Sequence, residues 1–248
     1  MPKWPAGSKR RAYNGGVSSS FRLLAPAAAV LAVVLSFAGA ARADGKGVLE
    51  CASCQDGGNY PSSAHLVANQ TPQSTSYYCG PAAVHEALDA LGVSLSQSAA
   101  AAALHTSKDG TGWSGGGTSP SGYPIPDVLN AYQRRNFYVP QPVSSPTSSA
   151  INDYENNLET DISGWGAPLI GDAWETSTSD YHLVGHPRDR TIFHWFEIRG
   201  YQDSGESAMY EDSVHNAGSV SWHASVPAYS TLPSRWIVSI VAGRGYVW

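Results

Sequence analysis

The clearest helical pattern in the chain covers residues 73–91. After Cys79, apolar residues recur three and four positions apart from Val84 onwards, as on one face of an α-helix. Gly92 stands where such a helix would end, so we predict a helix from Cys79 to about that point. Similar patterns predict further helices from Ser94 or Ser96 to about Leu104, from Pro126 to about Arg135, and at 151–162.

Past Gly166 the pattern changes from helical spacing to alternation, which is typical of β-strands. Strands are predicted at 136–139, 167–170, 191–201, 207–212 and 236–241, with a connector at 140–149 and a glycine-rich surface loop at 109–122. Most helices come first and most strands afterwards. This order predicts an α+β fold with an antiparallel sheet, built as one domain.

The first 43 residues differ from the rest of the chain. Basic residues precede an apolar run at 23–40, and small residues two apart come just before Asp44. The pattern is typical of a secretory signal peptide, and Arg10-Arg11 leaves a twin-arginine route open. An uncleaved anchor is the alternative, because the run is near the lower length limit for spanning a bilayer. We expect a signal peptide at 1–43, an irregular arm at 44–64, a domain at 65–248, and a secreted product.

The charge balance argues against polyanionic partners. Six of the 15 Lys and Arg residues lie in the leader, which holds no acidic residue, so nine remain against 20 Asp and Glu. A chain with a net charge of about −11 repels nucleic-acid phosphates and anionic lipids. We therefore expect no nucleic-acid binding and no stable membrane association once the leader is removed. We also expect a monomer.

The chain has three cysteines, an odd number for an exported protein. Cys51 and Cys54 form a Cys-x-x-Cys pair just after the leader, and outside the cell they would most simply bond to each other. A zinc site would need further ligands, and no second Cys pair or closely spaced His pair supplies them. Cys79 is then left as a free thiol, and we expect no metal and no cofactor.

Cys79 has the position of an activated thiol. It begins the first predicted helix, and Pro81 suits the first turn because its missing N–H would have had no partner there. The unpaired N–H groups at such an end favour an anion, so the thiolate should form more easily than in a free cysteine. The alternative is a buried structural cysteine that begins an amphipathic helix.

A thiol nucleophile needs a base from elsewhere in the chain, and His194 is the best candidate. It lies in the predicted strand 191–201, where alternation places it on an apolar face; a core histidine is the alternative. A hairpin would bring Asp212 beside the imidazole, where it could hold the ring by a hydrogen bond. The Gln73 amide could donate to an oxyanion together with the Cys79 N–H.

The other candidates are weaker. His85 lies on the side or back of the first predicted helix, and we interpret it as a surface or packing residue. Asp203 falls in a turn and is expected to matter little. His182 and His186 are four apart, but the glycine and proline beside them argue against a helical metal pair. We interpret both as loop histidines in a local elaboration at 174–190.

Three sequence blocks together resemble a known enzyme family. They are Gln73-x5-Cys79-Gly80-Pro81, then His194-Trp195 followed by Gly200-Tyr201, then Asp212-Ser213. In order and spacing they are similar to the papain-like cysteine peptidases, and more closely to the bacteriocin-leader-peptidase-like branch. The resemblance covers roughly 65–248. Transporter-fused members carry transmembrane and ATP-binding regions that we do not recognise in this sequence, so leader processing is not expected to transfer.

The resemblance implies a papain-like α+β fold and a role for each of four residues. Cys79 would be the nucleophile, His194 the base and acid, Asp212 the residue that orients His194, and Gln73 part of the oxyanion hole. It implies a secreted cysteine peptidase that hydrolyses peptide or amide bonds of a peptide or protein substrate. One alternative is a cell-wall amidase or acyltransferase with the same triad. Another is a catalytically silent exported binding module, favoured by eight Trp and 13 Tyr that could line a groove.

Overall fold

The structure is a computed structural model that describes residues 59–115, 119–133 and 137–248. The predicted signal peptide, the Cys51–Cys54 pair and most of the predicted arm lie outside the described residues. The helices are α1 (Cys79–Ala90), α2 (Gln97–Ala103), α3 (Pro124–Gln133), α4 (Ser148–Glu159) and α5 (Ser234–Ile240), with a π-helical segment at Thr160–Trp165 and a 3₁₀ turn at His223–Ser225. The strands are β1 (Ala64–His65), β2 (Pro140–Val143), β3 (Leu169–Glu175), β4 (Ile192–Gln202), β5 (Ser207–Glu211), β6 (Tyr229–Pro233) and β7 (Arg244–Val247).

These strands form one antiparallel sheet, in the order β2-β7-β3-β4-β5-β6, and β1 pairs with β4. Apolar side chains are buried on both sides of β4. Trp195 belongs to a core cluster with residues of α1, α2 and α3, whereas the next residue, Phe196, belongs to a cluster with residues of α4 and α5. The prediction of an α+β fold with an antiparallel sheet is confirmed. Within the described residues, no helix is long and apolar enough to cross a bilayer.

The start of α1 is packed closely against the loop that follows α2. A Cβ added at Gly80 would lie 2.4 Å from Oγ1 of Thr111, so only glycine fits there without displacing the loop. Trp195 fixes the same loop, because its Nε1 donates to the Thr111 carbonyl at 2.9 Å. The loop predicted as a surface segment at 109–122 is therefore buried and anchored at Thr111, beside the helix start that presents Cys79.

The prediction of a strand at 236–241 is wrong, because this segment lies in and just after helix α5. Its apolar residues are mostly β-branched, and a short run of this kind does not distinguish a buried strand from a buried helix by periodicity. Ile237, Val238 and Ile240 are all buried in the cluster that also holds Tyr154 and Leu158 of α4. Packing against α4 therefore outweighs the β propensity of these side chains.

The strand predicted at 136–139 is also displaced, since β2 occupies Pro140–Val143 in the predicted connector. β2 pairs with β7 at the edge of the sheet. Val139 and Trp248 exchange both backbone hydrogen bonds, so Pro140 and Pro142 fall at alternate positions whose backbone nitrogens face away from β7. An edge strand tolerates proline in such positions, where no donor is needed.

Three glutamates are buried between α1 and the sheet. Glu86 of α1, Glu197 of β4 and Glu211 of β5 are each at most 1 % exposed, and Glu197 and Glu211 are direct cross-strand partners. Burial and the charge of Glu211 raise the pKa of Glu86 and of Glu197. Burial also raises the pKa of Glu211, against the lowering effects of Glu197 and Arg199. The cluster therefore retains protons that exposed carboxyls would lose.

We expect the substitution Glu197→Gln to make the stability of the fold less dependent on pH. A carboxyl whose folded-state pKa is raised contributes stability below its unfolded pKa of about 4.3, and this contribution is lost as pH rises through the folded pKa. Glutamine imitates the protonated carboxyl, so the unfolding temperature near pH ~8 should rise, by about 2–4 °C per kcal/mol in a domain of this size. Thermal unfolding followed by circular dichroism at several pH values measures the effect.

The matched control is Glu206→Gln, because Glu206 is exposed in the turn between β4 and β5. This variant should follow the wild-type dependence of stability on pH. If the Glu197→Gln protein also keeps the wild-type slope, the buried glutamates do not share protons as inferred.

Candidate active site

Cys79 is the first residue of α1 and is a free, partly exposed cysteine. It lines a cavity of about 410 Å³ together with Gln73, His194 and Trp222. Backbone N–H groups in the first turn of a helix have no partner within the helix, so they are available to an anion near Cys79. The sequence prediction of a thiol at a helix start is confirmed. A larger cavity of about 500 Å³, between α2 and α3, includes none of the four predicted site residues among its lining.

His194 links Cys79 to an acid. Its Nε2 lies 3.0 Å from Oδ1 of Asp212, the residue that follows β5. Burial would lower the pKa of His194, but the charge of Asp212 and hydrogen-bonding contacts with Asp212 and Cys79 raise it well above its ordinary value. Burial would raise the pKa of Asp212, but His194 and His186 hold it far below its usual range. The pair is therefore an imidazolium beside a carboxylate, in contact with the thiol.

Gln73 is held in the same cavity by the residue after Asp212. The Gln73 backbone N–H donates to the carbonyl of Ser213 at 2.8 Å, and the Ser213 hydroxyl donates to Oε1 of Gln73 at 3.2 Å. The amide nitrogen of Gln73 donates to the Thr75 carbonyl at 2.7 Å. The carbonyl end of this amide is thus fixed by the Asp-Ser block, which gives Ser213 an orienting task that sequence reasoning did not assign.

The structure adds a residue that the sequence prediction set aside. His186 places Nε2 3.0 Å from Oδ2 of Asp212, the oxygen that does not face His194. Its Nδ1 lies 2.6 Å from Oε2 of Glu175, the last residue of β3. His186 does lie in a loop, as predicted, but it is buried and bound to the same carboxylate as His194.

The loop after β3 holds His186 in place by its own contacts. Gly185 has φ +84, and a Cβ added there would lie 2.1 Å from the Ser225 carbonyl oxygen, so the position requires glycine. Val184 N–H donates to the Tyr210 hydroxyl at 2.8 Å, and Leu183 N–H donates to Glu175. These contacts join residues far apart in sequence, and loops have no periodicity from which burial can be predicted. The glycine before His186 is the one local signal of a constrained backbone.

The other three weaker candidates, His85, Asp203 and His182, are not bonded to Asp212. His85 places Nδ1 2.7 Å from the Leu95 carbonyl, so it ties α1 to the segment before α2. Asp203 is exposed in the turn between β4 and β5, with φ +52. His182 is buried in the same loop as His186, and its Nδ1 lies 3.9 Å from Oε2 of Glu175.

Among the described residues, one group of side chains has donor atoms close enough to be compared with a metal site. One atom each from His186, His194 and Asp212 can be chosen so that all lie within 4.8 Å of one another. Each Asp212 oxygen already contacts one imidazole nitrogen, and the second nitrogen of His186 contacts Glu175. We interpret the group as a proton-holding network, in which His186 is hydrogen-bonded to Asp212 and His194 forms a close ion pair with it.

Comparison with known proteins assigns this chain to a family. A family model described as the Peptidase_C39 like family matches residues 64–238. A structure described as a C39-like peptidase from Bacillus anthracis is 12% identical, with a TM-score of 0.46 over 75% of this chain and 96% of that chain. The peptidase domain of Streptococcus ComA, a bifunctional ABC transporter involved in a quorum-sensing pathway, is 17% identical, with a TM-score of 0.38 over 74% of this chain and 95% of that chain.

The search of curated proteins found no match. The family model spans most of the described residues. It agrees with the resemblance of the three sequence blocks to papain-like cysteine peptidases. This chain belongs to the Peptidase_C39 like family.

Proposed function

We propose that this protein is a secreted cysteine peptidase in which Cys79, His194 and Asp212 act as a catalytic triad. The observation that carries the proposal is the position of His194, whose Nε2 lies 3.0 Å from Oδ1 of Asp212 and whose pKa is raised by the neighbouring Cys79 as well as by Asp212. Because Nε2 faces Asp212, Nδ1 is the ring nitrogen that exchanges a proton with the thiol. Family membership supports the same chemistry.

In the first step, the Cys79 thiolate attacks the carbonyl carbon of the scissile peptide bond. The oxygen of the tetrahedral intermediate receives hydrogen bonds from the Cys79 backbone N–H and the Gln73 amide. An amide nitrogen carries two protons and Gln73 uses one on Thr75, so the second can reach the oxyanion. His194 then gives its proton to the leaving amine, and a thioester remains on Cys79.

In the second step, His194 takes a proton from water, and the resulting hydroxide equivalent attacks the thioester. The carboxylic acid leaves, and the proton on His194 restores the thiolate–imidazolium pair. Asp212 stays ionised throughout, since its task is to hold the ring and stabilise the imidazolium. Every proton in this cycle is carried by His194, and no step needs a cofactor.

The surroundings of the site support a peptide or protein substrate. The cavity is lined by the Ile192 and Val220 side chains and by Ser219 and Ser221, so it combines apolar and hydrogen-bonding surface. Arg190 and the half-exposed Phe193 also line it, and can contact side chains on either side of the scissile bond. The proposal that the enzyme is secreted and acts outside the cell rests on the leader pattern at 1–43. We also propose that it acts as a monomer.

Alkylation of Cys79 tests the proposal without knowledge of the substrate. We expect iodoacetamide to label Cys79 rapidly near neutral pH, because the neighbouring His194 imidazolium favours the reactive thiolate. The rate should fall by at least about 10-fold in His194→Ala, because the thiolate then loses its imidazolium partner. Mass spectrometry of the labelled peptide, after reaction at a series of pH values, measures both.

A catalytically silent binding module predicts the opposite result. In such a module Cys79 would react only as the pH approaches the pKa of an ordinary thiol. The rate would be the same in the wild type and in His194→Ala. Such an outcome would contradict the triad assignment and would mean that the protein has the family fold but not the peptidase activity.

A further inference from the structure

The Asp212 carboxylate is shared between two imidazole rings that are both buried. The side chains of His186 and Glu175 have no exposed surface, and that of Asp212 is 1 % exposed. The His186 ring packs edge-on against Trp222, with ring centroids 4.6 Å apart, and lies 5.2 Å from the His194 ring. A continuous line of contacts therefore runs from Glu175 through His186 and Asp212 to His194.

The two hydrogen bonds of His186 fix its protonation state. Both ring nitrogens face carboxylate oxygens, and an ionised carboxylate can only accept. With both carboxylates ionised, both bonds can form together only if both nitrogens carry protons, which makes the ring an imidazolium. Burial would lower the pKa of His186, but the bonds to Asp212 and Glu175 raise it.

An imidazolium at this place also balances buried charge. With both carboxylates ionised and both rings protonated, the charges along the line alternate in sign, so each buried charge has an opposite neighbour. If His186 were neutral, Glu175 would be a buried carboxylate beside an uncharged ring. The His194 imidazolium alone would then have to balance two buried carboxylates, Glu175 and Asp212. Uncompensated buried charges of this kind are costly, so the alternation favours the doubly protonated ring.

We propose that His186 is a positioning residue of the active site, which holds Asp212 against His194 and takes up part of its negative charge. This inference rests on the proposed triad. The bond to Oδ2 turns Oδ1 toward His194, while Val214 N–H donates to Oδ1 at 2.9 Å from the other side. Because the carboxylate is shared, it stabilises the His194 imidazolium less than an unshared one would. His194 therefore releases its proton to the leaving amine more readily.

Burial raises the pKa of two carboxyls near this line, Glu86 and Asp172, and the charge of His194 lowers it. Two further titratable groups, His182 and Tyr210, lie near the line among the described residues. His182 Nδ1 lies 3.9 Å from Glu175, beyond hydrogen-bond distance. Tyr210 accepts the Val184 N–H through its hydroxyl, and burial raises its pKa, so it stays neutral. Neither is bonded to His186, and His182 therefore provides a matched control from the same buried loop.

The substitution His186→Gln separates charge from shape. The glutamine amide can still donate to Asp212, but it is neutral, so the full Asp212 charge acts on His194. We expect the pH at which His194 loses its proton to rise by at least about one unit, which is the size of shift that a nearby charge typically causes. The readout is the upper transition in the rate of Cys79 alkylation by iodoacetamide against pH. The transition in His182→Gln should stay at the wild-type pH.

The wild-type protein gives a second test that needs no folded variant. In nitrogen-15 spectra of the imidazole side chains, both ring nitrogens of His186 should stay protonated above pH ~6.5, where a free histidine loses its proton. A neutral His186 at neutral pH would overturn the inference. So would a His186→Gln protein whose upper transition is unchanged or lowered.

Failure of this inference can be distinguished from failure of the proposed function. If wild-type Cys79 reacts as slowly as an ordinary thiol, there is no thiolate–imidazolium pair, and the triad itself is wrong. If Cys79 reacts rapidly and the transition is the same in His186→Gln and the wild type, the triad stands and His186 is a structural residue only.

Discussion

Replacing Cys79 or His194 by Ala is expected to abolish peptide hydrolysis, with a fall in turnover of about 10⁴-fold or more. In the proposed mechanism Cys79 supplies the attacking sulfur and His194 supplies the proton for the leaving amine, so neither task passes to a neighbour. The double variant should be no worse than either single one, because the two residues act as a unit. Hydrolysis of fluorescently labelled casein and of mixed fluorogenic peptides measures the turnover.

His85→Gln is the matched control for this pair. His85 lies in the same helix as Cys79, but its ring is bonded to the Leu95 carbonyl and is not part of the cavity lining described for Cys79 and His194. This variant should keep wild-type turnover, and circular dichroism should show all variants folded. Retention of turnover in His194→Ala would mean that another group serves as the base.

The helix that carries Cys79 was predictable because its signals are local. α1 begins at Cys79 and ends at Ala90, and Gly92 follows with φ +74, the left-handed conformation that favours glycine. The next helix begins where one of the two predicted caps lies, since the Ser96 hydroxyl accepts from the Ala99 N–H. Capping residues and helix-breaking glycines act on a few neighbouring residues, so the ends of these helices can be predicted from the local sequence.

The segment at 236–241 was not predictable on the same basis. Six mostly apolar residues fit a strand as well as a helical turn, and the choice depends on the surface against which they pack. Here that surface is a core formed by α4 and the sheet, which is distant in sequence. The edge strand β2 was not predictable for a similar reason. Its two prolines are not typical of a strand, and it forms by pairing with β7 at the far end of the chain.

Some residues of the candidate site were likewise predictable from the sequence and others were not. Cys79, His194, Asp212 and Gln73 stand in blocks whose order resembles a family, so they could be named from the sequence. His186 stands in no such block, and its two partners lie 11 and 26 residues away along the chain. Only the fold of the loop after β3 shows that this histidine, and not its neighbour His182, reaches Asp212.

The shape and the charge of Asp212 can be separated by substitution. Oδ1 accepts the Val214 N–H and faces His194, whereas Oδ2 faces His186. In Asp212→Asn, the Val214 N–H requires an oxygen at the Oδ1 position, so the amide nitrogen faces His186, whose Nε2 must give up its proton to accept from it. His194 keeps an oriented acceptor but loses the neighbouring negative charge. We expect turnover to fall by roughly 10²-fold and not to vanish.

Asp212→Ala removes the acceptor as well as the charge, so turnover should fall further, by about 10³- to 10⁴-fold. In both variants kcat should fall while KM stays close to the wild-type value, because the buried carboxylate does not touch the substrate. Steady-state kinetics on one fluorogenic peptide measure the two constants. Asp203→Ala is the control, since Asp203 lies in the exposed turn before β5 and Asp212 follows the opposite end of that strand. Loss of turnover in Asp203→Ala, with retention in Asp212→Ala, would mean that the acid facing His194 in the working enzyme is not the one in this hairpin register.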